Sequence, residues 1–330
     1  VEGKVRPAPY TSARTVSEIA TSAASAAIGE IQSQLDLNQK FEVTRRIISQ
    51  VIQRSKTQAE WDINDHGFEH SKRVERNVES LVGVLDTLQL IEDRLERPLT
   101  EQELFMLKIA ALSHDIGRAM GVDKDHAEIA EQFIRNTDDL PLTSEQRKTI
   151  ANLCILHANG STQDRFGSAD LNELSAKGAI TKLEAVLASI LRVADALDVG
   201  KNRATHNTQG TPIDEVIERI KAEHPEAKAK ARLSHLYGHM GIHDAVFTAR
   251  KNHLSLEIRL DQKLSVDHGE DVAHRVKDLI RDVRSALIGK KIIIRLTASN
   301  LKQVEDWYNK YQFIFYDDIE GMDVQLEGQR

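Results

Sequence analysis

Residues 112–117 read "LSHDIG". The stretch closes an apolar run, "ELFMLKIAALS", and sets two metal-ligating side chains, His114 and Asp115, ahead of Gly117. A single His-Asp pair is common by chance. It gains meaning only if the rest of the chain supplies partners at the ends of other buried segments.

Working outward, the helical period dominates from about 41 to 200. "TEQELFMLKIAALSHD" opens on Thr100 with Glu103 three residues later, a capping-box pattern, and sends Leu104, Leu107, Ile109, Ala111 and Leu112 inward. In "HSKRVERNVESLVGVLDTLQL", Val74, Val78, Leu81, Val82 and Leu85 share one face. "TSEQRKTIANLCILH" repeats the scheme with Ser144 as the expected cap. "AITKLEAVLASILRVADALD" is apolar nearly all round, as in a central buried helix.

After about 205 the pattern changes. "AVFTARKNHLSLEIRL" holds two short runs around a turn at Arg250–His253, and Leu254, Leu256, Ile258 and Leu260 alternate as in a half-buried strand. "KIIIRL" at 291–296 is a second strand candidate. Between them, residues 268–289 read as a helix with Val272, Val276, Leu279, Ile280, Val283 and Leu287 inward. The expected fold is mainly α: an N-terminal helical extension over 1–40, a helical bundle over 41–205, and a small C-terminal α+β unit over 206–330. Within the extension, residues 14–34 carry Val16, Ile19, Ala23, Ala27 and Ile31 at helical spacing. They suit either a partly ordered tail or a helix that packs on a second subunit of a homo-oligomer.

Of the 330 residues, 40% are hydrophobic, 29% charged and only 5% aromatic, so aliphatic side chains must fill the core. The formal charge of -7 argues against nucleic acid as a default partner. Cys154 is the single cysteine, which excludes an intrachain disulfide and suits a reducing, cytoplasmic setting. No apolar run is long enough to cross a bilayer, and the opening stretch has no signal-peptide core. The sequon at Asn159 would matter only in a secreted protein.

Partners for the His-Asp pair do exist. His66 and His70 in "DHGFEHSKRV" are four apart and share a helix face. His126 lies in "DKDHAEIAEQF", and His157 ends the apolar run "ANLCILH". Asp195 sits inside the apolar helix "SILRVADALD", where a carboxylate is costly to bury unless it is paired or bound to a metal. Imidazoles with carboxylates suit Fe, Mn, Zn and similar ions, and the lack of paired cysteines argues against a structural zinc site.

The order His70, His114-Asp115, Asp195 resembles the H…HD…D pattern of the HD superfamily of metal-dependent phosphohydrolases, over roughly residues 60–200. The resemblance implies an HD-domain bundle with His70, His114, Asp115 and Asp195 around a first metal. His126 and His157 stand where two-metal members carry extra histidines, so they would hold a second ion with Asp115 bridging. The ions would be Mn or Fe, or Mg, Zn, Ni or Co. Gly117 is expected to let the helix stop so that both side chains face the cluster.

Two further positions carry over. His66 lies four residues before the first ligand, where cyclic-nucleotide phosphodiesterases of the superfamily keep the histidine that protonates the leaving group. Arg118 stands where the HD-GYP group has a lysine near the substrate phosphate. No GYP triplet follows His157 ("ANGSTQDRFG"), so that group's ligand specificity does not transfer. "LRVADALDVGKNR" and the α+β unit also resemble the C-terminal HD region of exopolyphosphatases. The implied activity is hydrolysis of a nucleotide or related phosphoester through a metal-bridged hydroxide. The alternative is a nucleotide-sensing module with little turnover.

Other polar residues keep two readings. Lys201 and Arg203 form a solvated helix end or bind substrate phosphate. Asp198 salt-bridges Lys201 or Arg203, or orients a ligand. "HLYGHMGIH" spaces His235, His239 and His243 by four but is broken by glycines, so the metal is assigned to the HD set instead. "YDDIEGMDVQLEGQR" reads as an acidic, solvated tail.

Overall fold

A computed structural model describes residues 35–55, 67–122, 124–200, 203, 212–250, 253–261, 263, 267–287, 292–314 and 322–328. The expected helix over 14–34, His66 and Lys201 lie outside these residues. In chain order the helices of the body are α1 (Leu37–Ser55), α2 (Phe68–Thr87), α3 (Leu90–Leu95), α4 (Glu101–Ser113) and α5 (Ile116–Ala119). They continue with α6 (His126–Asn136), α7 (Ser144–Leu156), α8 (Asn159–Phe166), α9 (Leu171–Ala176) and α10 (Lys182–Ala196). Next come α11 (Ile213–Glu223), α12 (Glu226–Met240), β1 (Ile242–Arg250), β2 (His253–Leu260), α13 (Gly269–Ala286), β3 (Ile292–Ala298), α14 (Leu301–Tyr311) and β4 (Asp323–Gly328). The chain is mainly α, with a small four-stranded sheet at its C-terminal end.

The helical body is built on α2, α4, α7 and α10, each of which packs on the other three or on two of them. The expected face of α2 is the one that goes inward: Val74, Val78, Leu81, Val82 and Leu85 are all buried. Full burial of one such side chain contributes roughly 1.5–3 kcal/mol. Apart from Lys108, α4 is buried along its length from Phe105 to Ser113, and α10 is buried almost all round. The starts are fixed by capping boxes. Thr100 accepts from the Glu103 amide while the Glu103 carboxylate accepts from the Thr100 amide. Thr181 and Glu184 do the same for α10. For α7 the cap is Thr143, one residue before the expected Ser144. The Thr143 hydroxyl reaches the amide of Gln146, and the Gln146 side chain returns to the Thr143 amide. The sequence offers two adjacent hydroxyls, and only Thr143 has a Gln at the third position to close the box.

The sheet has the order β1-β2-β3-β4. β1 and β2 form an antiparallel hairpin with Arg250 opposite His253, while β3 runs parallel to β2 and β4 parallel to β3. The parallel pairs need crossovers, which α13 and α14 supply. The end of the acidic "tail" is therefore a strand: Asp323–Gly328 pairs with β3, and Val324 and Leu326 pack onto the core. Acidic composition hides an apolar alternation there. One apolar cluster runs from Ile48 in α1 to Ile314 after α14, so the helical body and the sheet share a core. Its seam is α13 against α10. Among the described residues no helix is long and apolar enough to cross a membrane.

The two hydroxyls before α7 give a direct check. Thr143→Ala should destabilise the chain by about 1 kcal/mol, the usual worth of a side-chain cap, whereas Ser144→Ala should change it far less. Urea unfolding of the two variants reads the difference, and equal losses would mean the cap is misassigned.

Candidate metal centre

Helix ends assemble the site. His70 lies in the first turn of α2, and His126 opens α6. His114 and His157 are the C-caps of α4 and α7, and Asp195 is next to last in α10. The C-termini of α4, α7 and α10 thus point at one place. The carbonyl ends of these helices carry partial negative charge and favour a cation there. Gly117 acts differently from the expected helix stop. α4 has already ended at Ser113, and a Cβ on Gly117 would sit 2.5 Å from the Cα of His126. The missing side chain lets the start of α6 close onto α5, which carries His126 to the cluster.

The geometry centres on Asp115, which is buried. Its Oδ2 lies 3.6 Å from His70 Nε2 and 3.7 Å from His114 Nε2. Its Oδ1 lies 3.5 Å from His126 Nε2 and 3.6 Å from His157 Nε2. Two buried triads, His70–His114–Asp115 and Asp115–His126–His157, thus share one carboxylate, with ligand atoms within 4.8 Å of one another in each. Asp195 Oδ1 joins the first triad at 3.3 Å from His70 Nε2 and 3.7 Å from His114 Nε2. That oxygen is buried yet makes no hydrogen bond.

These features fit a bound metal. Donor atoms 3.3–3.7 Å apart match what results when each is about 2.1 Å from a common ion. The ring orientations fit as well. Nδ1 of His114 donates to the Ala111 carbonyl at 2.8 Å, and Nδ1 of His157 to the Cys154 carbonyl at 2.5 Å. His70 Nδ1 donates to Asp198 at 2.6 Å. Each of these rings therefore turns Nε2 into the cluster, the arrangement in which a metal-binding histidine is held by its other nitrogen.

Charge follows from the same contacts. Burial and the Arg203 guanidinium pull the His70 imidazole down, but Asp115, Asp195 and Asp198 around it outweigh them and push it up to about 10. Burial raises the Asp195 carboxyl, yet the neighbouring His114 and His70 hold it well below the usual carboxylate range. Burial lowers His157. Cys154 is buried, its thiol is pushed up to about 12 by burial, and it stays a packing residue.

Asp198 takes the orienting role among its two readings. Besides His70, it accepts from Arg73 Nε at 2.7 Å and from Arg73 Nη2 at 3.1 Å, and its carboxyl lies far below the usual range. Burial alone would raise that carboxyl; the hydrogen bond and charge of His70, followed by those of Arg73, reverse the effect. Arg73 was not legible as a site residue from its own position. The signal was available in spacing: His70/Arg73 and Asp195/Asp198 are both three apart, so two helices present paired groups to each other. Arg192 was also missed. It is buried in α10 and donates to the Leu156 carbonyl at 2.7 Å, to the Ala169 carbonyl at 2.9 Å and to Thr162 Oγ1 at 3.1 Å. It thereby holds the residue before His157.

The cluster opens on a cleft of about 490 Å³, within the roughly 300–1,000 Å³ range of small-molecule sites. Arg118 lines it, with Nε 3.2 Å from Asp115 Oδ1, and Arg203 lines it from beyond α10, with Nη1 3.9 Å from Asp195 Oδ1. His235 and His239 also line it, although nothing in the spacing of "HLYGHMGIH" points to this cleft. His243 lies on β1 against Asp244. A larger groove of about 720 Å³ between α11, α12 and α13 holds no such buried ligand cluster among the described residues, so the smaller cleft is the functional candidate.

The buried His/Asp cluster in a helical bundle is the arrangement of an HD-type domain. The chain belongs to the HD-CE family, whose family model matches residues 59–287. Curated proteins give no match.

Two outcomes check this geometry. Asp198→Asn removes the charge that fixes His70 and Arg73, and should weaken metal uptake about 10–100-fold, as loss of such outer partners does. Competition with a fluorescent chelator measures it. The second is a pH effect in chelator-treated protein. In the folded chain the surrounding carboxylates raise the His70 imidazole from its ordinary 6.5 to about 10. Its contribution to stability is then complete below about pH 6.5 and lost as pH rises through about 10. Urea unfolding of the chelated wild-type chain and of His70→Gln across that range should show a pH-dependent loss in the former and not in the latter.

Proposed function

We propose that this chain is a divalent-metal-dependent phosphohydrolase that cleaves a nucleotide or related phosphoester. The observation that supports this best is the sharing of buried Asp115 between two His/Asp triads at the floor of a ligand-sized cleft. In this reading His70, His114, Asp115 and Asp195 hold one ion, and Asp115, His126 and His157 hold a second. Mn or Fe suits the mixed imidazole and carboxylate donors. Such ions, when bound, lower the pKa of water at the site and offset phosphoryl charge.

The chain's own residues do the rest. Asp198 and Arg73 fix the His70 ring, so the ligand atoms need no reorganisation when substrate arrives. Arg118, tethered to Asp115 at its Nε, offers the outer edge of its guanidinium to a phosphoryl oxygen in the cleft, and Arg203, lining the same cleft beside Asp195, adds positive charge for the rest of the substrate. Lys201, two residues before Arg203 in the sequence, is assigned to the substrate phosphate as well. His66, four residues before His70, is assigned the proton delivered to the leaving oxygen. The cluster is buried and the cleft open, so water is restricted at the reacting end while the rest of the substrate reaches solvent.

Elemental analysis of chain purified without chelator should find two ions, and His126→Ala should lose one of them. A stoichiometry of one that His126→Ala leaves unchanged rejects the two-ion arrangement. Asp115→Ala should abolish phosphate release from every member of a nucleotide and phosphodiester panel. His66→Ala should retain both ions and lower kcat roughly 10²–10⁴-fold, with a smaller loss when the leaving group is p-nitrophenolate. Tight nucleotide binding by metal-loaded chain with no turnover of any panel member would identify a sensor instead.

A further inference from the structure

The C-terminal unit sends side chains into the cleft that hydrolysis at the His/Asp cluster does not use. Arg275 on α13 and His239 on α12 form a wall facing the cluster, next to Arg203. Arg203 approaches Asp195 Oδ1 at 3.9 Å, and Arg275 approaches Asp278 Oδ2 at 4.0 Å, both at the outer limit of an ion pair. The Nε atoms of both arginines are buried with no hydrogen-bond partner. Burial, followed by repulsion from Arg203, lowers the Arg275 guanidinium to about 10, which still leaves it charged near neutrality.

Two guanidiniums that repel each other, each with its Nε buried and unmet, are unfavourable unless something negative joins them. Local balance is only partial: Arg203 Nη1 donates to the Asp198 carbonyl at 3.2 Å, and Asp278 and Asp282 act on Arg275 from its own helix. The cleft is lined by Arg118, Lys124, Arg203 and Arg275 against Asp115 and Asp195 alone. Both of those carboxylates belong to the His/Asp cluster, and cations held there would leave the arginine excess intact. His239 adds a different group. Its Nδ1 donates to the Val199 carbonyl at 2.6 Å, and burial first, then Arg275 and Arg203, hold it well below its ordinary value. The ring is neutral, and its buried, unpartnered Nε2 is an acceptor. It suits a hydroxyl on the same ligand, not a phosphoryl oxygen.

We infer that Arg203 and Arg275 form a second anion subsite, so that the substrate carries a further phosphoryl group beside the one held at the His/Asp cluster. The inference rests on the phosphohydrolase reading for the position of the first phosphoryl group. Arg203 lies against Asp195, so the two subsites adjoin, as neighbouring phosphoryl groups of a nucleoside diphosphate or triphosphate do. The site is then composite: the helical body supplies the reacting end, and α13 of the α+β unit supplies recognition of the remaining phosphate.

The test is calorimetric titration of the full chain, in the metal state in which it purifies, with orthophosphate and with pyrophosphate. Pyrophosphate should bind at least ten-fold more tightly. Arg275→Gln should cost pyrophosphate roughly ten- to a hundred-fold, the worth of one charge-assisted hydrogen bond, and cost orthophosphate much less. Arg275→Lys keeps the charge without the planar fork and should recover part of the loss, which also guards against a variant that fails to fold. Equal affinity for the two anions, or equal weakening of both by Arg275→Gln, overturns the subsite. Hydrolysis is not the readout. A chain that prefers pyrophosphate as expected but cleaves no phosphoester keeps the subsite and loses the hydrolase reading. A chain that cleaves phosphodiesters while binding both anions alike does the reverse.

Discussion

The structure depends on placing Asp115 where two carboxylate oxygens face two different sets of imidazoles. A buried carboxylate is tolerated only when charge and hydrogen bonds surround it. Here that requirement dictates where five helices begin or end. α4 and α7 must stop so that His114 and His157 cap them, α10 must reach Asp195 in its last turn, and α2 and α6 must start at His70 and His126. α2 consequently begins at the end of the bundle where α4, α7 and α10 finish. The three C-termini add a field of the sign that suits a cation, so the backbone and the side chains favour the same charge.

The supporting contacts show how that placement is made rigid. Asn77 of α2 donates to the Ala194 carbonyl of α10 at 2.9 Å, one residue before Asp195. Asp198, just past α10, binds His70 and Arg73 of α2. The α2–α10 pair is therefore locked by polar contacts on both sides of the first triad. Arg192 does the same for the second, tying α10 to the end of α7. Each tie holds a helix end, and a helix end is where backbone carbonyls are free to accept.

Much of this was legible because the residue types are out of place. A histidine or aspartate at the close of an apolar helix stands out, as His114, His157 and Asp195 do, and their order along the chain carried the family resemblance. The apolar faces of α2, α4, α10 and α13 were legible for the same reason: periodicity reports burial. Contacts between distant segments leave no such trace. Arg73 and Arg192 look like ordinary helix-surface arginines until their partners in other elements are known. Gly117 reads as a stop signal, and only the approach of His126 shows that it is a space requirement. The strand Asp323–Gly328 was hidden by its acidic neighbours, because composition and a two-residue alternation conflicted over a short stretch.

The cleft wall is the hardest case, and it changes how the two parts of the chain relate. α13 has one apolar stripe, from Val272 to Val283, that joins the common core through α10. Arg275 falls between Val272 and Val276 on that helix, so the packing that buries the stripe also carries Arg275 to the cleft. On α12, Gly238 has its Cα close enough to α13 that a Cβ would meet the Asp271 carbonyl at 3.0 Å. That close approach sets His239 beside Val199 and the end of α10. The glycines that made "HLYGHMGIH" look like an interrupted stretch are thus part of what seats it. A change in how α13 packs on α10 would move core and cleft together, so the α+β unit is coupled to the His/Asp cluster through apolar contact as well as through charge.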